Sequence, residues 1–219
     1  MNDPLKILAP NVKVTICDIV FLGCSFTAGD GLTDIKTRYS TLLANHYDKN
    51  EINLAVGGGS NYRSFDLFGQ LNFINTKSIL VLQLTELSRI RWYDSKIVDR
   101  LLSVEPGREL IYTYNDQFLI YDLIRQLRII VNYCREKQIK LIIWSIARLT
   151  DHTLNQHLDS YLRQFPEFLY ISDRPKEEDP DTYRVDDAPD KHRHPGPESN
   201  KLIANKLITH FDNLYGTLR

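Results

Sequence analysis

The chain is 219 residues long and carries 27 Lys and Arg against 28 Asp and Glu. No whole-chain field therefore draws it to nucleic acid or to an anionic membrane surface, and neither partner is expected. Its length and even composition predict a single domain over 1–219 with a sizeable core, and no apolar run approaches the ~20 residues that a membrane helix requires.

The first residues, MNDPLKILAPNVKV, lack a basic segment followed by an apolar one. Cys17, Cys24 and Cys134 show neither CxxC nor Cys and His at zinc spacing. The expectation is a cytoplasmic protein without structural disulfides or structural zinc. The first strand candidate is DIVFLGCS (18–25), followed by a short stripe of Tyr39, Leu42, Leu43 and His46 at helical spacing. EINLAVG (51–57) is the second strand candidate, and it runs into GGGSN, with Ser60 or Asn61 placed to cap a helix. SILVLQLT (78–85) is the third.

Residues 92–113 break the pattern: a Pro106–Gly107 turn between apolar pieces predicts a hairpin or cap insertion. Ile120, Leu123, Leu127, Ile130 and Cys134 then form a helical stripe. KLIIWSIA (140–147) and FLYISD (168–173) complete the strands. A Pro-rich, charged segment over 172–198 predicts a long active-site loop, and Ile203, Leu207, Phe211 and Leu214 mark a last helix.

The five strand candidates are continuously apolar, which suits strands covered on both faces. Their alternation with helices predicts α/β architecture, a three-layer α/β/α sandwich around a mostly parallel five-stranded sheet. Ligands in such sheets bind beyond the carboxyl ends of the strands, where Ser25, Gly57 to Gly59 and Thr85 fall.

Three segments there bear chemistry. In FLGCSFTAGDGL (21–32) a strand breaks into small polar residues. The break makes either a plain strand-to-helix turn or a turn that lifts Ser25 or Cys24 beside the free amides of a helix start. In NLAVGGGSNYR (53–63) three glycines allow close backbone approach or a flexible loop. No GK[ST] follows them, which disfavours a phosphate loop. In DKHRHPGPESNKL, His192 and His194 follow Asp186, Asp187 and Asp190. That is a base with an orienting carboxylate in reach, or surface histidines, or two ligands of a metal whose remaining ligands are not evident.

Taken in order, the three segments resemble the SGNH hydrolases, or GDSL-type esterases, and in particular their GCSFT-like branch. GCSFTAGDGL is similar to the first block, NLAVGGGSN to the second and HPGPESNKLIA to the last. The resemblance implies a flavodoxin-like sandwich in which Ser25 is the nucleophile, Gly58 an oxyanion-hole glycine and His194 the base. The third block departs from the family's GxND: the chain reads QLTELSR, and Thr85 stands where the family's Asn donates to the oxyanion. Its hydroxyl can donate one hydrogen bond.

The family's acid commonly lies three residues before the His, where this chain has Lys191; Asp190 is the nearest carboxylate. Asp187, or a dyad with a backbone carbonyl, stays open as an alternative, as does His192 as base. Cys24 corresponds to a non-nucleophilic position. The resemblance thus implies a Ser25 acyl-enzyme esterase acting on a small acyl group, such as O-acetyl, of a carbohydrate or other polar scaffold. It requires no cofactor. Two alternatives stay open: an acyltransferase with the same site, and a carbohydrate-binding module on a decayed scaffold, with Trp92, Tyr93, Tyr112 and Tyr114 available to stack on a sugar.

Overall fold

The computed structural model describes residues 12–73, 77–85, 89–94, 96–101, 116–145, 160–171, 182–190 and 194–217. Five strands form the central sheet: β2 (Asp18–Leu22), β3 (Asn50–Asn53), β5 (Ile79–Leu84), β8 (Lys140–Ser145) and β9 (Phe168–Tyr170). All four pairings in it are parallel, in the order β3-β2-β5-β8-β9. The same five segments were expected from their apolar runs, and each strand ends one to four residues earlier than its run.

Alternation of side chains along these strands splits the core in two. Ile19, Phe21, Ile79, Val81, Ile142 and Trp144 face helices α2 (Tyr39–His46) and α5 (Pro197–Tyr215), burying Tyr39, Leu43, Ile203, Leu207 and Phe211. Val20, Leu22, Leu80, Leu82, Leu141 and Ile143 face α3 (Asn61–Phe68) and α4 (Asp116–Glu136), burying Leu67, Ile120, Leu123, Leu127, Ile130 and Cys134. The architecture is the expected α/β/α sandwich. Trimming one of these leucines to Ala costs about 2–5 kcal/mol in such a core. In the α2 stripe His46 is exposed, and Tyr47 fills the buried position beyond it.

Two further pairings lie outside the central sheet. β1 (Val12–Val14) pairs in parallel with β4 (Leu71–Phe73), and β6 (Arg89–Asp94) pairs antiparallel with β7 (Lys96–Leu101). The second pair is a hairpin that begins before the span 92–113, its ladder running from Arg89–Leu101 to Asp94–Lys96. Pro106–Gly107, Tyr112 and Tyr114 lie outside the described residues, as does the 172–181 part of the long loop. Among the described residues no helix is long and apolar enough to cross a membrane.

Numbered by their order in the chain, the five sheet strands lie 2-1-3-4-5. The chain adds β3 on one side of β2 and then β5 on the other, so the winding across the sheet reverses between β2 and β5, and in this topology the crevice for ligands opens at that point, beyond the strands' carboxyl ends.

Candidate active site

The opening turn sits on that crevice. After β2, Gly23 is wedged against β5: a Cβ there would lie 2.4 Å from Thr27 Oγ1 and 2.7 Å from Gln83 Oε1. The glycine is therefore required for space, not for an unusual dihedral. Cys24 is extended (φ −109°, ψ −155°) and Ser25–Ala28 make one helical turn, α1, closed by Ala28 N–H donating to the Cys24 carbonyl at 2.9 Å. Ser25 is the first residue of that turn, so its N–H has no acceptor within the helix. Its hydroxyl donates to Cys24 Sγ at 3.9 Å, a weak contact because thiols are poor partners. The Cys24 thiol instead turns inward, to Gln83 Oε1 at 3.5 Å, and is buried.

The glycine segment packs directly on this turn. Asn53, at the end of β3, donates to the Thr27 carbonyl at 2.6 Å. Gly59 N–H closes a turn onto the Val56 carbonyl at 3.0 Å, and a Cβ on Gly59 would lie 3.0 Å from the Gly23 carbonyl oxygen. Gly57 abuts the Asp30 carboxylate. Gly58, between them, has φ +72°, is exposed and has open space where a Cβ would stand. The left-handed φ suits glycine, and the open side suits a ligand approaching the backbone.

On the other flank Thr85 lies three residues past Leu82, as Ser25 lies three past its in-register partner Leu22. Both residues thus follow the carboxyl ends of neighbouring strands. Thr85 is 4% exposed, and its backbone is held from both sides by one side chain: Asn61 Oδ1 accepts from Thr85 N–H and Asn61 Nδ2 donates to the Thr85 carbonyl, each at 2.9 Å. Ser60, not Asn61, caps α3, its hydroxyl accepting from Arg63 N–H at 3.2 Å.

The third segment is folded by its own aspartates. Asp186 caps α5, accepting from Ser199 N–H at 2.7 Å and Glu198 N–H at 3.1 Å. Asp187 bridges to Pro195 and pairs with Arg184. Ala188 N–H donates to the His194 carbonyl at 2.7 Å. This folds the loop back so that Asp190 Oδ2 meets His194 Nδ1, while Asp190 Oδ1 also accepts from His194 N–H at 3.3 Å.

Two contacts carry this pair to the opening turn. The His194 ring stands edge-on to Phe26, centroids 5.6 Å apart, and the Asp190 carboxylate lies over Gly31, where a Cβ would be 2.7 Å from Oδ2. The structure thus brings Ser25, Gly58, Thr85, His194 and Asp190 to one end of the sheet. Lys191 and His192 lie outside the described residues.

Gln83 escapes the sequence reading, and Asn61 enters it only as a candidate helix cap. Gln83 and Asn61 anchor the turn and Thr85, and the one available signal was Gln83 as the single polar residue in the stretch ILVLQL. Tyr39, whose hydroxyl shares a 2.7 Å hydrogen bond with Thr27, is held protonated well above the usual phenol range because burial penalises the phenolate. Among the described residues no group of three or more His, Cys, Asp or Glu is placed to hold a metal ion.

No protein-family model matches the chain, and no curated protein sequence matches it. Solved structures do. A carbohydrate esterase whose active site has divergent catalytic and non-catalytic binding functions aligns with 92% of this chain and 66% of its own, with a TM-score of 0.56 and 18% identity. A G-D-S-L family lipolytic protein from Desulfitobacterium hafniense aligns over 86% of this chain and 96% of its own, with a TM-score of 0.51 and 10% identity. The fold is that of the SGNH-type esterases. An acetyl xylan esterase from the rumen bacterium Butyrivibrio proteoclasticus shares it over 94% of this chain at a TM-score of 0.57 and 12% identity. The chain spans 66% of the length of both carbohydrate esterases, and at these identities the likeness is one of fold.

Proposed function

We propose that the chain is a serine esterase that removes a small acyl group, such as acetyl, from a carbohydrate or other polar scaffold. The observation that carries this reading is the Asp190–His194 pair packed onto the Ser25 turn through Phe26 and Gly31. In this reading His194 Nε2 takes the Ser25 hydroxyl proton as Oγ attacks the acyl carbon. Asp190 accepts from Nδ1–H, keeps the productive tautomer and stabilises the imidazolium.

The Ser25 and Gly58 N–H groups and the Thr85 hydroxyl donate to the tetrahedral oxyanion. Collapse of that intermediate expels the alcohol, which receives the proton from His194. Water then attacks the acyl-enzyme with His194 as base, releasing the acid and restoring Ser25. The carbohydrate preference rests on the likeness of fold to esterases of carbohydrates.

The test is acetate release from acetylated xylan and from p-nitrophenyl acetate. Ser25→Ala and His194→Ala are expected to lose at least about 10³-fold in kcat, and Asp190→Asn about 10⁴-fold through the wrong histidine tautomer. His192→Ala is expected to stay near wild type. A folded wild-type protein without turnover overturns the reading, and loss confined to His192→Ala overturns the base.

A further inference from the structure

We propose that Gln83 is a positioning residue for the Ser25 nucleophile, an inference that rests on the esterase reading above. Gln83 is 1% exposed in β5, the strand beside β2 at the topological reversal, and every other residue of that strand is apolar. Packing alone favours Met or Leu at such a position, because a buried primary amide must find partners. Its Nε2 is buried with no acceptor among the described residues, so half of the amide gains nothing from being there.

The other half is heavily used. Oε1 accepts from Cys24 N–H at 3.3 Å, from the Cys24 thiol at 3.5 Å and from the Thr27 hydroxyl at 2.5 Å. The Cys24 N–H is a donor only, so it sets which way the amide faces. Cys24 is therefore clamped at both ends, its N–H by Gln83 and its carbonyl by Ala28 N–H at 2.9 Å. With both ends held, the peptide that joins Cys24 to Ser25 has one orientation, and that peptide carries the Ser25 N–H intended for the oxyanion.

The clamp also reaches the base. Thr27 shares a hydrogen bond with Tyr39 OH, and Tyr39 N–H donates to Asn200 Oδ1 at 2.9 Å. Asn200 Nδ2 donates to the Pro195 carbonyl at 2.9 Å, one residue after His194. A buried brace thus runs Gln83, Thr27, Tyr39, Asn200, Pro195, and Gln83 is its anchor in the sheet.

The experiment compares wild type with Gln83→Met, which keeps the volume and removes the acceptor, and Gln83→Glu, which keeps an acceptor oxygen. Near-UV circular dichroism and Tm establish that each is folded. Gln83→Met is expected to lower kcat on p-nitrophenyl acetate about 10²-fold, the scale of an ångström-sized misplacement, with KM within about twofold. Gln83→Glu is expected to recover kcat at the acid end of the active range. Its kcat relative to wild type then falls as pH rises, because ionising the introduced carboxyl puts a negative charge beside the developing oxyanion.

Should Gln83→Met fail to fold, Thr27→Val reads the same brace by removing the hydroxyl that joins Gln83 to Tyr39, and a drop in kcat is again expected. A folded Gln83→Met, or in its place Thr27→Val, with wild-type kcat overturns the proposal. So does a Gln83→Glu to wild-type ratio that does not change with pH. A wild type that hydrolyses nothing instead fails the esterase reading itself, so the two failures are distinguishable.

Discussion

Replacing Gly31 with Ala tests the Asp190–His194 pair from a residue outside the pair itself. Gly31 has φ +82°, and a Cβ there would lie 2.7 Å from Asp190 Oδ2, 2.8 Å from its Cγ and 3.0 Å from Ala188 Cβ. Adopting the left-handed conformation costs a non-glycine residue about 1–2 kcal/mol. To reach ordinary contact at 3.4 Å the carboxylate oxygen must withdraw by about 0.7 Å, away from a hydrogen bond that orients His194. An ångström of misplacement near the chemistry costs about 10²-fold, so kcat is expected to fall about 10- to 10²-fold.

The strain alone lowers Tm by about 2–8 °C in a domain of this size. Gly216→Ala separates the two effects: Gly216 also has a left-handed φ, +74°, but open space around the Cβ position at the far end of α5. The assay is kcat and KM on p-nitrophenyl acetate alongside thermal melts of all three proteins. Gly216→Ala should show the Tm loss with wild-type kcat. A Gly31→Ala protein with wild-type kcat, or a Gly216→Ala protein equally impaired, refutes the placement of Asp190 against this glycine as a requirement for turnover.

Asp186→Ala removes the acceptor of two α5 amides and should cost about 0.5–2 kcal/mol in urea unfolding. It should leave far more activity than Asp190→Asn, and an equal loss of kcat with stability intact makes Asp186 the orienting acid. Asn61→Asp sets a carboxylate oxygen against the Thr85 carbonyl where a donor now stands at 2.9 Å, and urea melts should report about 1–3 kcal/mol of lost stability. Burial pushes the Cys134 thiol up to about 12 from the ordinary 9.0. The native state thus favours the protonated thiol, so that contribution to stability is complete below about pH 9 and is lost as pH rises toward 12. Iodoacetamide at pH 8 should alkylate exposed Cys17 and spare Cys134, which alkylation mapping by mass spectrometry checks.

The sheet was legible because parallel strands covered on both faces must be continuously apolar, as Ile79 to Leu82 are. Strand ends were less so: the run through Gly23 to Ser25 is as buried as the strand before it, although the chain there has already left the ladder for a helical turn. β1 and β4 escaped because three residues are too few to show a period. The β6–β7 hairpin escaped because no glycine or proline stands between Arg89 and Leu101 to mark a turn, while the expected Pro106–Gly107 turn lies outside the described residues.

In the His194 segment the sequence offered three aspartates within eight residues of the histidine and no means of ranking them by contact. Their partners separate them. Asp186 meets helix amides, Asp187 meets Arg184 and Asp190 meets the imidazole. The roles of Gln83 and Asn61 lie in long-range hydrogen bonds, 59 and 24 residues apart in the chain, which no local pattern encodes.

The esterase reading stands or falls on Ser25 as the nucleophile. Incubating the protein with a fluorophosphonate and locating the adduct by peptide mass spectrometry tests it most directly. One phosphonyl adduct is expected on Ser25, absent from Ser25→Ala and strongly slowed in His194→Ala. A folded protein that takes no adduct, or one modified at Cys24 or elsewhere while Ser25 stays free, contradicts it.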